Sequence, residues 1–186
     1  EDVKFGFSIA SGAAWQAIVE TKKHASLELR GLHSHIGSQI FQTEPFAIAA
    51  DRLIELLAKF NSEFGQQLPE LDLGGGYGIA YLDNEKEIQA SDVLGTLAKV
   101  VKESCAKHSL SVPKISIEPG RAIVGPSMVT LYQVGTTKDV VLEDGSMRWY
   151  VSVDGGMSDN PRPMMYGSRY EAFDPIRFSA PRTETA

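Results

Sequence analysis

The stretch LDLGGGYG, residues 71–78, places three glycines directly behind a short apolar run. The run at residues 71–73 predicts a short buried strand, and the glycines let backbone N–H groups approach a phosphate without obstruction by side chains. In a GxGxxG frame that starts at Gly74 the last position is Ile79, so the dinucleotide fingerprint is not met. A strand ending in a glycine loop is predicted, with a plain tight turn as the alternative reading.

A nucleotide-fold methyltransferase is a second alternative for the same stretch, because its first motif also carries glycines behind a strand. In such a fold a helix should follow the glycines at once. Residues 81–85, YLDNE, are instead typical of a polar loop, which disfavours this alternative.

Helical and strand patterns alternate on both sides of the glycine loop. The predicted helices cover residues 13–24, the segment from the N-cap Thr43 to the stop Gly65, and the segment from the cap Ser91 to about residue 108. The predicted strands cover residues 5–9, 27–35, 71–73 and 114–117. This order favours parallel strands connected by helices. A (β/α)8 barrel takes about 250 residues, so residues 1–125 would supply about half of one.

The pattern changes near Gly125. Residues 128–153 alternate Thr, Val and Tyr around a turn at residues 143–146, which is typical of β structure. We therefore expect a partial α/β domain over residues 1–125 and the start of a β domain over residues 126–186. The polar tail, residues 177–186, is expected to be a linker or a frayed end.

Composition excludes several classes of protein. The 186 residues are 42% apolar and 23% charged, which is ordinary for a soluble globular chain. A net charge of −6 disfavours nucleic acid as a partner, and no apolar run is long enough to span a membrane. Cys105 is the single cysteine, so no disulfide forms within the chain, which fits a reducing cytoplasm.

The stretch HSHIGSQ, residues 33–39, follows a predicted strand, where parallel α/β folds place their sites. His33 and His35 are two residues apart and project to the same face, as in the metal pairs of amidohydrolases. A metal centre needs further ligands, and the other histidines, His24 and His108, lie in helical patterns. We therefore predict no metal site. Hydrogen-bonded core histidines are the alternative.

Two further stretches carry charged or polar side chains on turns. In IEPGR, residues 117–121, a Pro-Gly turn separates Glu118 from Arg121. Residues 153–166 present Arg162 and Tyr166 on turn-forming sequence. A local ion pair and a plain surface loop are the alternatives for these two stretches.

Taken in order, these stretches resemble group IV pyridoxal phosphate (PLP) decarboxylases, the fold type III enzymes, and most of all the diaminopimelate decarboxylase family. The matching motifs are HSHIGSQ, LDLGGGYGIAY, EPGRAIVGPS and VDGGMSDN with the following RP and Tyr. The resemblance covers nearly the whole chain, from Lys4 to about Arg177. It implies the C-terminal half of a (β/α)8 PLP-binding barrel followed by the start of a β domain.

The resemblance implies a role for each matching residue around PLP. His35 would stack on the pyridine ring, and Glu118 would pair with its nitrogen. The phosphate would be held by Ser38, with Arg121 nearby, and by the backbone of three glycines: Gly74, Gly75 and Gly76.

The substrate would meet Arg121, Arg162 and Tyr166 through its carboxylate or its distal end. Tyr166 stands in RPMMY, where the family more often reads RPALY, so its surroundings depart slightly from the pattern. Arginines bind carboxylates in a bidentate fashion, which suits a substrate with a second, distal carboxylate. The implied reaction is decarboxylation of meso-2,6-diaminopimelate to L-lysine.

Glu118 favours decarboxylation over racemisation, because a carboxylate beside the pyridine nitrogen keeps the ring protonated and deepens its capacity as an electron sink. Ornithine, arginine or carboxynorspermidine decarboxylases of the same fold are alternatives. A regulator with the same fold but without turnover is another.

The resemblance also implies parts that this sequence lacks. The lysine that bonds PLP should lie in a YAxKA-like context, and the cysteine that reaches across a dimer in a CESGD-like motif. Cys105 stands in a helical pattern and is expected to be a packed thiol. We therefore expect a fragment, inactive alone, of a cytoplasmic homodimer with shared active sites.

Overall fold

The structure, a computed structural model, describes residues 5–86 and 88–177. Within these residues the chain forms two compact units. The first comprises residues 5–79 and 88–127, and the second comprises residues 80–86 and 128–177. The predicted domain limits, 1–125 and 126–186, stay predictions.

The first unit contains a three-stranded parallel sheet. Its strands are β1 (Gly31–His33), β2 (Glu70–Asp72) and β3 (Lys114–Ser116), and they lie in chain order. The register aligns Leu32 with Leu71 and Leu71 with Ile115. The predicted parallel α/β architecture of this part is confirmed, because helices connect the successive strands.

Four helices belong to this unit: α1 (Ala13–Lys23), α2 (Glu44–Phe64), α3 (Ala90–Lys107) and α4 (Gly120–Val124), with a 3-10 turn at Gly125–Ser127. The limits of α2 are those predicted from the sequence. Thr43 occupies the N-cap position, although its side chain makes no capping hydrogen bond. Gly65 ends the helix in the left-handed region, with φ of 65°, where glycine carries no steric penalty.

The core lies where α2 and α3 meet the sheet. Both helices place apolar residues three and four apart along one face, and those residues are buried. The largest fully buried side chains come from both helices and from β2: Phe46, Ile54, Leu57, Phe60, Leu71, Leu97, Val101 and Cys105. Burial of one such side chain contributes about 1.5–3 kcal/mol. Inside this interface Ser104 Oγ donates a hydrogen bond to Asp51 Oδ1 over 2.5 Å.

Three sequence-based expectations for this unit are wrong in detail. Residues 5–9 form turns rather than a strand, and Gly6 has a φ of 72° that interrupts any extended run. The first residue of α3 is Ala90 and its N-cap is Gln89, so Ser91 lies inside the first turn. Strands β1 and β3 are shorter than predicted because their common neighbour β2 offers only three residues for pairing.

The second unit is built on one hairpin. Strands β4 (Val134–Val141) and β5 (Met147–Val153) pair antiparallel, with an irregularity between Val134 and Thr137. A short helix, α5 (Arg162–Tyr166), follows. The predicted turn at residues 143–146 is confirmed, with Gly145 at φ of 80°. Strand structure begins at residue 134 rather than 128, and residues 178–186 of the predicted tail lie outside the described residues.

Within residues 5–86 and 88–177, no helix combines the length and the apolar character that a membrane span requires.

Candidate functional site

Three loops meet at the carboxyl edge of the parallel sheet, because parallel strands all point their carboxyl ends the same way. They follow β1 at residues 34–40, β2 at residues 73–79 and β3 at residues 117–121. Backbone hydrogen bonds continue between them beyond the strands. Ser34 N donates to the carbonyl of Asp72 over 3.2 Å, and Glu118 N donates to the carbonyl of Gly74 over 2.8 Å.

The three glycines of the middle loop are required by the packing of its neighbours. A Cβ on Gly74 would overlap the carbonyl oxygen of Ser34, and a Cβ on Gly75 would overlap that of Glu118. At Gly76 it would overlap the carbonyl oxygen of Gly37. The glycines therefore let three loops touch, a reason that the phosphate prediction did not include.

The same loop leaves a backbone donor for a ligand. Gly74 N–H donates to Asp72 Oδ1 over 2.9 Å, and Gly75 N–H approaches His35 Nδ1 at a long 3.4 Å. Within the described part of the chain, the half-buried Gly76 makes no hydrogen bond through its N–H group. Ser38, exposed, lies beside it, since its Cα is 3.6 Å from the Cβ that Gly76 lacks. Backbone N–H groups in turns of this kind bind anions, and a role toward a phosphate stays a prediction here.

Gln39 is a functional candidate that the sequence did not reveal. Its side-chain Nε2 donates to the carbonyl of Ile79 over 2.9 Å, and Ile79 N donates back to Oε1 over 3.1 Å. Gln39 itself adopts a φ of 56°, unusual for a residue other than glycine. The next residue, Ile40, forms a parallel bridge with Tyr77. Gln39 thus clamps the Ser38 loop onto the glycine loop.

Charged side chains converge at the same edge from all three strands. His33 Nε2 lies 3.2 Å from Glu118 Oε2, and Asp72 lies close enough that all three ligand atoms fall within 4.8 Å of one another. The set has the chemistry of a cation ligand group. Its members, however, already contact one another and Gly74 N–H. The expected absence of a metal stays a prediction.

Most residues predicted for the cofactor come together in this edge. His35, Ser38, Gly74, Gly75, Gly76 and Glu118 all lie on the three loops that the sheet positions. Arg121 ends the loop that follows β3. It is half-buried and is the second residue of α4. Their roles toward a cofactor stay predictions.

Arg162 and Tyr166 belong to the second unit, where they contact each other. The guanidinium carbon of Arg162 lies 5.3 Å from the centroid of the Tyr166 ring, a cation–π contact. Among the described residues, no hydrogen bond reaches the buried Nε of Arg162. The guanidinium group of Arg162 and the ring of Tyr166 thus contact each other without a ligand. Their role toward a substrate stays a prediction.

Tyr77, in the glycine loop, is a core residue rather than a reactive phenol. Its ring is 7% exposed and stacks on Phe46 with centroids 4.7 Å apart. Burial, and secondly the carboxylate of Asp72, raise the pKa of Tyr77 to about 12. The phenol therefore stays neutral and anchors the loop to α2.

Comparison with known proteins identifies what the chain is similar to. Residues 1–125 match the family model described as pyridoxal-dependent decarboxylase, pyridoxal binding domain. Over 183 residues the chain is 49% identical to diaminopimelate decarboxylase of Corynebacterium efficiens. The alignment covers 98% of this chain and 40% of that protein. The chain spans about two-fifths of the length of the curated relatives it matches.

Solved structures agree with this match. Diaminopimelate decarboxylase from M. jannaschii in co-complex with L-lysine aligns with a TM-score of 0.78 at 27% identity, over 90% of this chain and 37% of that one. The Helicobacter pylori enzyme complexed with L-lysine aligns with a TM-score of 0.72 at 31% identity, over 90% and 38%. The resemblance drawn from the four motifs is confirmed.

Proposed function

The chain belongs to the pyridoxal-dependent decarboxylases, and we propose that the loops at the carboxyl edge of β1–β2–β3 hold the PLP of such an enzyme. One observation carries the proposal. An anion cradle at Gly76 and Ser38, an imidazole at His35 and a carboxylate at Glu118 lie on adjoining loops of one sheet edge. These are the groups that a phosphorylated, protonated pyridine requires.

The residues present fit the phosphate end of PLP. Gly76 offers an N–H group that no described residue occupies, and Ser38 adds an exposed hydroxyl beside it. Side chains at positions 74–76 would overlap the neighbouring backbone, so no side chain at these positions covers the Gly76 N–H group. Backbone N–H groups in such concave turns bind anions.

The residues also fit the ring end. Glu118 is fixed at its backbone by the hydrogen bond to Gly74, and its carboxylate is exposed for an approaching ligand. Bound PLP supplies an electron sink for the electron pair left when the substrate carboxylate departs as carbon dioxide. The carboxylate of Glu118 favours the protonated ring nitrogen, which makes that sink deeper.

We propose meso-2,6-diaminopimelate as the substrate and L-lysine as the product of the full-length protein that carries this sequence. Support comes from the relatives, which are diaminopimelate decarboxylases, two of them solved with L-lysine. By the resemblance, Arg121, Arg162 and Tyr166 would each meet the substrate carboxylate or its distal end, and guanidinium groups suit carboxylates because they pair with them bidentately.

The remaining expectations belong to this proposal as well. The parallel sheet and its helices would be the C-terminal half of a (β/α)8 barrel, and the hairpin unit would begin a β domain. The enzyme would be a cytoplasmic homodimer with shared active sites that takes neither nucleic acid nor membrane as a partner.

The test is a carbon dioxide release assay on the full-length protein with PLP added. We expect turnover of meso-2,6-diaminopimelate and little turnover of ornithine or arginine. Glu118→Gln should lower kcat roughly tenfold to a thousandfold, because an opposite charge moves the pKa of a neighbouring group by about 1–3 units. The control is Glu55→Gln, which removes an exposed carboxylate on α2. Preferred turnover of ornithine, or failure to bind PLP, would contradict the proposal.

A further inference from the structure

We infer that His33 is a positioning residue for Glu118: its Nε2–H group donates to Oε2 of Glu118 and holds that carboxylate for the cofactor nitrogen. The inference rests on the proposed function. It gives a role to the first histidine of HSHIGSQ, to which the predicted cofactor roles assign none.

The hydrogen bond is the first observation. His33 Nε2 lies 3.2 Å from Glu118 Oε2, across 85 positions of sequence. Both side chains are about half exposed, at 51% and 55%, so packing alone constrains the carboxylate little. A hydrogen bond from His33 adds a constraint on its rotation.

The register of the sheet brings the two side chains to the same edge. His33 is the last residue of β1 and stands opposite Asp72 of β2, which stands opposite Ser116 of β3. Glu118 follows Ser116 by two residues, and its N–H group is held by the carbonyl of Gly74 over 2.8 Å. With the backbone fixed on both sides, the imidazole reaches across the middle strand to the carboxylate.

Asp72 lies beside the pair, whose acceptor carboxylate on Glu118 requires the imidazole to donate from Nε2. Its Oδ1 accepts the N–H group of Gly74 over 2.9 Å, and its carboxylate lies within 4.8 Å of both other groups. Two carboxylates at that distance repel each other. An imidazole that donates from Nε2 relieves the repulsion and leaves Oε1 of Glu118 available to a ligand.

A divalent cation held by His33, Asp72 and Glu118 would be a different use of the same atoms. It would withdraw Glu118 from the cofactor nitrogen. The hydrogen-bond geometry favours the positioning role, and the cation becomes an outcome of the test.

The experiment uses the full-length protein loaded with PLP labelled with ¹⁵N in its ring, and its first readout is the ring-nitrogen chemical shift. His33→Phe keeps a flat ring but removes the donor, whereas His33→Gln retains one. The matched control is His24→Phe, because His24 also meets a glutamate, Glu20, at 3.5 Å with both side chains exposed, but on α1.

We expect His33→Phe to move the ¹⁵N signal toward that of a neutral pyridine and to lower kcat about tenfold, with KM changed less than twofold. His33→Gln should recover most of both effects, and His24→Phe should change neither. An independent readout needs no cofactor. In ¹H–¹⁵N spectra of the protein without PLP, Glu118→Gln should displace the His33 Nε2 resonance, and Glu103→Gln should not.

The outcomes separate the two proposals. If Glu118→Gln moves the ¹⁵N signal but His33→Phe does not, His33 has no positioning role and only this inference is overturned. If chelation by EDTA reproduces the His33→Phe effect in the unsubstituted protein, the histidine serves a metal ion instead. If Glu118→Gln leaves the signal unchanged, the proposed cofactor site itself fails, and the inference fails with it.

Discussion

The two units of the chain use their apolar side chains in opposite ways. Every buried residue of the described chain lies between Ile18 and Pro113, in the α/β unit. In the hairpin unit, Trp149, Tyr150 and Val151 each expose about half of their surface. The first unit is therefore held by a core, and the second is held by backbone pairing between neighbouring strands.

This difference explains where the candidate cofactor site is found. The glycine loop directly follows β2, whose Leu71 is fully buried, and Tyr77 ties the loop back to the core. A rigid core below the strand ends fixes the loops above it. The hairpin offers no such support among the described residues, and in the same unit Arg162 and Tyr166 contact each other.

The largest effect expected is loss of core packing. Phe60→Ala should destabilise the α/β unit by about 3–5 kcal/mol, because it empties a fully buried site. Trp149→Ala, in the hairpin, should lower the free energy of unfolding by no more than about 1 kcal/mol, because Trp149 is 55% exposed. Native-state hydrogen exchange at α2 and β5 amides measures both. Comparable losses for the two substitutions would show that the hairpin also has a core.

The next effect concerns glycines with the same backbone conformation in different surroundings. Gly74 and Gly145 have φ of 68° and 80°, but only at Gly74 would a Cβ overlap a neighbour. Gly145→Ala should cost about 1 kcal/mol from backbone strain alone. Gly74→Ala should cost about 2–4 kcal/mol, since overpacking adds to that strain. Denaturant unfolding of each variant measures the loss in the free energy of unfolding. Equal losses for the two variants would mean that the loops around Gly74 move apart at little cost.

A smaller effect distinguishes the two glutamine clamps of the α/β unit. The Gln39 side chain makes two hydrogen bonds to the backbone of Ile79 at the carboxyl edge, one through Nε2 and one through Oε1. Gln67 makes the same two bonds to the backbone of Ser111, between the segments that precede β2 and β3. Each substitution by Ala should cost about 1–2 kcal/mol.

Only Gln39→Ala should also weaken PLP binding, by about threefold to tenfold, because only that clamp positions Ser38. Equilibrium titration with PLP measures this affinity. An equal loss of affinity in Gln67→Ala would place the effect in general stability rather than in the cradle.

The smallest effect is the pH dependence of the hairpin turn. Hydrogen bonds from the Ser146 hydroxyl and N–H group lower the pKa of Asp144. A lowered pKa stabilises the fold above the unfolded pKa, and that stabilisation is lost as the pH falls through the folded pKa. The carboxylate is exposed, so the effect should be slight. An NMR titration of the Ser146 amide should therefore show a midpoint below the ordinary Asp value, which Ser146→Ala moves upward.

Local signals predicted the three long helices, α1, α2 and α3, but not the short helices α4 and α5. The limits of α2 follow from Thr43, Pro45 and Gly65 together with an apolar period that the core then buries. The turn at residues 143–146 was equally predictable, because Gly145 needs a positive φ. Strand lengths were not, since β1 and β3 pair only as far as the three residues of β2 allow.

The site was predictable only in part for the same physical reason. Motif resemblance placed His35, Ser38, Glu118 and the glycines in the predicted site, because each lies in a motif on its own loop. The contact between His33 and Glu118 depends on the register of three strands, and neither residue signals it alone. The available signal was positional. His33, Asp72 and Glu118 each lie within two residues of the end of a parallel strand, and such ends share an edge.

The most direct test of the central claim is a crystal structure of the full-length protein with PLP bound. If the three loops hold PLP, its phosphate lies within hydrogen-bond distance of Gly76 N–H and the Ser38 hydroxyl, with the Glu118 carboxylate at the ring nitrogen. A phosphate bound elsewhere, with the Gly76 N–H group facing water, would contradict that claim.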